Sequence, residues 1–177
     1  MSKSIIVCAL LIYSTCIASQ NDQELALIVH NEARAELGIA PLSYSKKLAK
    51  QADAYAKKMA KLDRGLNHSK ITKDGENLYM SYSSSGNEVT FSNHPFKDAS
   101  LSWYREKKDY RYSRIGEEPN FGAIGHYTQM IWETTAHVGF GFARSKTGKT
   151  YVVARYAKAG NITGLLPVLV TLNLFND

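Results

Sequence analysis

Two histidines and two glutamates, His68, Glu76, Glu106 and His126, are the side chains in this chain best suited to chemistry. Neutral imidazole nitrogen and carboxylate oxygen both donate lone pairs, so the four could hold a divalent cation, with zinc the best match. They could also work as acid and base, because a carboxylate beside a histidine shifts its proton affinity. Spacing alone does not unite them. The intervals are 8, 30 and 20 residues, and no HExxH occurs. The competing reading is four solvated or structural polar residues. His126 stands in the most informative segment, Gly125-His126-Tyr127-Thr128-Gln129-Met130-Ile131-Trp132. That segment is too polar for an ordinary core element and reads as a wall of a site. Ser69 follows His68, but sequence neighbours usually point apart, and no oxyanion element is readable.

The compartment follows from the first eighteen residues. Lys3 is their only charge, Ile5 to Ile17 is mostly apolar, and Cys16-Ile17-Ala18 resembles a cleavage site. This predicts a secretory signal over 1–18 and a secreted, extracellular protein. An uncleaved anchor is the rival, but thirteen residues are short for a ~20-residue span. Cleavage leaves 159 residues, one domain by length and large enough for a self-supporting core. Both cysteines, Cys8 and Cys16, go with the signal, which leaves no disulfide and no thiol chemistry. The remaining net charge is +5. A mildly basic surface suits acidic lipid headgroups, a membrane surface or polyanionic sugars, and it also serves plain solubility. The chain has no long basic run or nucleic-acid motif, so nucleic acid is not an expected partner.

The elements that must position the four residues read as helices first and strands late. Asn21 or Asp22 caps a helix with Leu25, Ile28 and Val29 at helical spacing, ending near Leu37-Gly38. Ser43 or Ser45 opens a second, with Leu48, Ala52, Tyr55, Met59 and Leu62 on one face. Glu76 to Ser81 is a short strand or an irregular buried segment, followed by a loop through Pro95. Asp98 caps a third helix carrying Leu101, Trp103 and Tyr104, with Trp103 and Trp132 in the core. Tyr110 to Gly125 is a long loop, of a length that tends to be functional. His126 to Trp132 is a short helix, and Val138 to Ala143 with Thr150 to Tyr156 is an antiparallel hairpin. The class is α+β, with helices on an antiparallel sheet. Leu165 to Phe175 is apolar but too short to span a bilayer, and reads as a tail packed on the domain.

Four segments, in order, resemble the signatures of the CAP superfamily of cysteine-rich secretory, antigen-five and pathogenesis-related proteins. His30-Asn31-Glu32-Ala33-Arg34 is similar to its HNxxR element, and Gly75-Glu76-Asn77-Leu78 to its GEN element. Gly125 to Trp132 resembles GHxTQxxW, and Val152 to Asn161 resembles the last signature. Ala154 stands where that signature usually has a disulfide cysteine. The chain therefore looks most like the disulfide-free, single-domain branch of the Golgi-associated plant pathogenesis-related type. On that resemblance, a cysteine-rich extension and the ion-channel regulation linked to it are not expected.

The resemblance implies a three-layer α-β-α sandwich over 19–164, with the tail at 165–177. It implies a central cleft lined by His68, Glu76, Glu106 and His126 that can hold a divalent cation; the alternative is that they cross-link loops without metal. It implies binding of a sterol, fatty acid or acidic lipid, with Tyr110, Tyr112 and Phe121 on the loop that covers the ligand. His30, Asn31, Arg34, Asn77, Gln129 and Trp132 become motif residues that tie elements to the core. Two other functions stay open: a metal-dependent hydrolase using the four residues, and an extracellular host-interaction or defence protein acting by surface contacts. Enzymatic activity is the less favoured of these, and the oligomeric state is not legible. Asn67-His68-Ser69 and Asn161-Ile162-Thr163 are glycosylation sequons at Asn67 and Asn161.

Overall fold

The structure, a computed structural model, describes residues 21–70, 73–85 and 88–168. The expected signal at 1–18 and most of the tail lie outside these residues. Helix α1 (Asp22–Ala35) opens on a full capping box, with Asn21 and Glu24 satisfying each other's backbone N–H. Its buried stripe is Ala26, Val29, His30, Ala33 and Arg34, a 3.6-residue repeat. Ile28, an expected core position, is exposed, because the two polar motif residues occupy the inward face.

Strand β1 (Ser43–Tyr44) leads into α2 (Lys46–Leu62), capped by Ser45. The buried positions of α2 are Leu48, Ala52, Ala56, Met59 and Ala60. Three alanines on that face indicate close approach, and the sheet supplies the reason. Strand β5 (His137–Arg144) carries Gly139 and Gly141. A Cβ at either would lie 2.2 Å from Ala49 N or 2.1 Å from Asp53 N, in the backbone of α2. Gly141→Ala is therefore expected to destabilise the fold by about 2 kcal/mol through overpacking. A denaturant midpoint unchanged from the parent would contradict this.

Strand β6 (Thr150–Ala157) pairs antiparallel with β5 and with β2 (Gly75–Ser81). The hairpin is as the sequence predicts. The sheet as a whole is mixed, in the order β1-β5-β6-β2, because β1 runs parallel to β5. Side chains alternate across it. Val152, Ala154 and Tyr156 join the core with α1, whereas Tyr151 and Val153 join the core under α2. The expected loop through Pro95 contains a small hairpin, β3 (Ser83–Ser85) with β4 (Glu88–Thr90).

Helix α3 (Pro95–Tyr104) starts three residues before Asp98. Its cap comes from another helix: the Asp22 carboxylate accepts from Phe96 N at 2.8 Å and Lys97 N at 3.1 Å. A 3-10 turn (Arg105–Asp109) follows, and α4 (Gly125–Met130) completes the set. With α2 on one face and α1, α3 and α4 on the other, the fold is an α-β-α sandwich. Trp103 and Trp132 are both buried. The described start of the tail packs down, with Val168 in the main core and Glu133 N donating to Pro167 O at 2.8 Å. No helix among the described residues is long and apolar enough to cross a membrane.

Candidate functional site

The Gly-Glu-Asn run of β2 builds one wall. A Cβ at Gly75 would fall 2.1 Å from Gln129 Oε1, so a larger residue would have to push aside the amide that accepts from Gly160 N. Glu76 lies opposite Arg155 in the β2–β6 register, on the same face. Its carboxylate is nearly buried and accepts from His68 Nδ1 at 2.8 Å and Ser69 N at 2.9 Å. Arg155 Nη2 stands 2.9 Å from Oε2, a charge contact without hydrogen-bond alignment. Burial pushes the Glu76 carboxyl up, but the bonds from His68 and Ser69 with the Arg155 charge outweigh it and hold it below the usual range.

Glu106 and His126 make the second pair. The 3-10 turn after α3 brings Glu106 to the N-terminus of α4. There Oε2 accepts from His126 N at 2.9 Å and Tyr127 N at 3.0 Å, while Oε1 accepts from His126 Nδ1 at 2.6 Å. One carboxylate thus caps the helix and fixes the ring that the helix carries. The His126 ring stacks on Trp103 at 6.0 Å, and Asn77 Nδ2 donates to His126 O at 3.0 Å. Ionised carboxylates only accept, so Nδ1 is the protonated nitrogen in both rings and Nε2 keeps the lone pair of the neutral form.

His68, Glu76 and His126 line a single cavity of about 540 Å³ with Phe121, Gln129 and Asn161. Glu106 stands behind His126. Among the described residues no three of His, Cys, Asp and Glu form a metal-holding group. The four side chains expected at one cleft stand as two histidine–glutamate pairs. The physical reason is that both carboxylates are spent on imidazole and backbone N–H groups. The lone pairs left over are those of the two Nε2 atoms.

The remaining motif residues hold this cavity in shape. Arg34 donates to five backbone carbonyls, from Ala40 and from Met130 to Thr135. Asn31 brackets Leu42 through both its amide atoms. Gln129 accepts from Gly160 N at 2.8 Å and donates to Thr135 Oγ1 at 3.3 Å. A Cβ at Gly160 would lie 2.6 Å from Trp132 Cγ, so the last signature closes against the third. His30 and Asn77 meet at the Tyr156 hydroxyl, at 2.8 and 3.0 Å.

The three loop aromatics separate. Tyr110 is buried and donates to Ser113 O at 3.1 Å, so it belongs to the core. Tyr112 is half-exposed, with its ring 4.9 Å from that of Tyr110. Phe121 alone reaches the cavity, 42% exposed and seated over Gly125, where a Cβ would come 3.0 Å from its ring. The sequons also differ. Asn67 is exposed. Asn161 donates its amide to Gly125 O at 2.7 Å and accepts from Thr128 Oγ1 at 2.7 Å, so the nitrogen that would carry a glycan is in use. Arg155 is a site residue that the sequence reading missed, and Ser69, weighed there only as a nucleophile, contributes its backbone N–H to Glu76. Arg155 could have been found by placing the two strands in register, since it then faces Glu76.

A family model described as the cysteine-rich secretory protein family, CAP, matches residues 27–156. Human Golgi-associated plant pathogenesis-related protein 1 is 35% identical over 150 residues, covering 82% of this chain and 88% of that protein. Pathogenesis-related leaf protein 4 of Solanum lycopersicum is 34% identical over 161 residues, covering 89% and 90%. The crystal structure of NaASP2 with Zn2+ superposes with a TM-score of 0.66 at 24% identity, covering 84% of this chain and 85% of that one.

Proposed function

The chain belongs to the cysteine-rich secretory protein (CAP) family, and on that premise we propose that it is a secreted protein that binds a sterol or other lipid in the cleft between the two histidine–glutamate pairs. Its similarity to pathogenesis-related proteins supports a defence or host-contact role outside the cell. The observation that carries the lipid reading is Phe121. A large apolar ring stands half-exposed in a cavity otherwise floored by glycines and polar groups, and it gains from an apolar occupant. Tyr112 flanks the same loop and offers a second exposed ring.

The donor set also suits a divalent cation, held by Nε2 of His68 and of His126, and the NaASP2 structure with Zn2+ supports that reading. A bound zinc would supply Lewis acidity and lower the pKa of a bound water. The residues of this chain would orient the two rings through Glu76 and Glu106, and hold Nδ1 protonated in each. This arrangement supports the second reading, a metal-dependent hydrolase.

Binding of labelled cholesterol tests the first reading. The expected result is saturable binding that survives a chelator. Phe121→Ser should weaken it about 10-fold or more, the equivalent of about 1.5–3 kcal/mol of lost apolar burial. Tyr112→Ser should matter less, because its ring rests partly on Tyr110. Absence of saturable binding removes the reading. Ester or peptide turnover that vanishes with the chelator would favour the hydrolase.

A further inference from the structure

Helix α2 carries six lysines, Lys46, Lys47, Lys50, Lys57, Lys58 and Lys61, against one acid, Asp53. That is a net +5 on 17 residues, in a chain whose formal charge is +6. All six lysines are exposed. On the helical wheel they share a sector of about 120°, centred opposite Leu48, Ala52, Ala56 and Met59, which are buried against the sheet. Lys46, Lys50, Lys57 and Lys61 form the crest, a row about 22 Å long, and Lys47 and Lys58 flank it. The basic face continues past the helix, since Lys58 lines one cavity together with Arg64 and Lys70.

Nothing in the fold asks for this pattern. Lys46 and Lys47 stand in the first turn, where the helix dipole favours acids, and no acid is there. Lys46 with Lys50, and Lys57 with Lys61, are like charges four residues apart, a spacing that destabilises a helix. The Asp53 carboxylate pairs with Lys57 at 2.7 Å. Among the described residues the other five lysines make no salt bridge. A polyanion laid along the row would relieve this repulsion.

The partner must be long, narrow and densely anionic, and must lie on a convex ridge. A bilayer takes up an amphipathic helix through its apolar face. The apolar face of α2 is spent on the sheet, and the crest holds only Ala54 besides polar side chains. Nucleic acid is held by stacked aromatics and arginine forks as well as by charge, and the crest has neither. A polysaccharide with one carboxylate per disaccharide carries too few anions for six cations over that length. Sulfate monoesters stay ionised and accept from the rotatable ammonium donors of lysine.

We infer that the lysine crest of α2 is a docking surface for a linear sulfated polysaccharide, laid along the helix with its sulfates over Lys46, Lys50, Lys57 and Lys61. The surface lies on the layer opposite α1, α3 and α4, and it does not rest on the lipid reading of the cleft.

The test follows a fluorescein-labelled heparin dodecasaccharide by fluorescence anisotropy at about 0.15 M salt. The expected result is saturable binding, with log K falling linearly against log salt. Lys50→Gln with Lys61→Gln should weaken binding about tenfold or more and flatten that slope by about two. Thermal unfolding of this double variant should be unchanged or raised, because each change removes one like-charge pair. Lys108→Gln with Arg111→Gln removes the same charge beyond α3, where both side chains are exposed, and should weaken binding less than about twofold. The proposal is overturned by absent binding, by an equal loss in the two double variants, by desulfated heparin binding as tightly as heparin, or by tighter binding of phosphatidylserine vesicles or duplex DNA. Cholesterol binding by the Lys50→Gln, Lys61→Gln chain should equal that of the parent, so failure here and failure of the cleft reading are separately visible.

Discussion

Arg34→Lys is expected to cost about 3–5 kcal/mol of unfolding free energy, although it conserves the charge. The Arg34 side chain is 1% exposed, and burial lowers its pKa only to about 10, so it is a cation at neutral pH. Each of its five N–H bonds has its own carbonyl. Nε reaches Ala40 O at 2.7 Å, Nη1 reaches Met130 O at 3.1 Å and Trp132 O at 2.9 Å, and Nη2 reaches Glu133 O at 3.3 Å and Thr135 O at 3.0 Å. An ammonium has three donors on one atom and cannot serve carbonyls spread around a planar fork. At least two buried carbonyls would be orphaned, each at about 1–3 kcal/mol. The urea midpoint should fall by about 2 M with unchanged slope. Lys107→Ala, which breaks the partly exposed 2.6 Å pair with Glu36, should cost less than about 1 kcal/mol. If the two variants shift the midpoint equally, the clamp carries no special weight.

That contrast bears on what the sequence could reveal. Arg34 is recognisable as a motif residue, but nothing local says that four of its five partners lie about 100 positions away. The same limit recurs wherever a contact is distant in sequence. The β5–β6 hairpin is legible because alternation and a Thr-Gly turn are local signals. The parallel β1–β5 pair is not, since two residues carry no period. Asp98 is a reasonable cap on local grounds, yet Asp22 does the work from another helix. His68, Glu76, Glu106 and His126 can be picked out of the sequence. Their division into pairs depends on the 3-10 turn that sets Glu106 under α4, which no spacing rule predicts. Tyr110 and Tyr112 look equivalent in the sequence. They diverge because Tyr112 takes a left-handed φ of 56°, while Tyr110 stays extended and turns into the core.

His30 makes acid the condition under which this architecture is weakest. Its ring is fully buried, with Nδ1 donating to Ala26 O at 2.8 Å. The carbonyl can only accept, so Nε2 of the neutral ring accepts from the Tyr156 hydroxyl at 2.8 Å. Asn77 Nδ2 then donates to that hydroxyl at 3.0 Å and to His126 O at 3.0 Å, so a buried chain runs from the core to the cleft. A second proton on His30 would turn Nε2 from acceptor into donor, so the Tyr156 hydroxyl could no longer donate to it. Burial, with help from the nearby Arg34 charge, lowers the His30 pKa from 6.5 to about 4. The unfolded chain therefore binds more protons between those values, and stability falls as pH drops through that window. The loss is about 3 kcal/mol, complete below pH 4 and absent above 6.5. His30→Gln puts a neutral amide there. It should be less stable at pH 7 but should lose most of that slope between pH 6.5 and 4 in urea titrations. A variant that keeps the parent slope would place the acid sensitivity elsewhere.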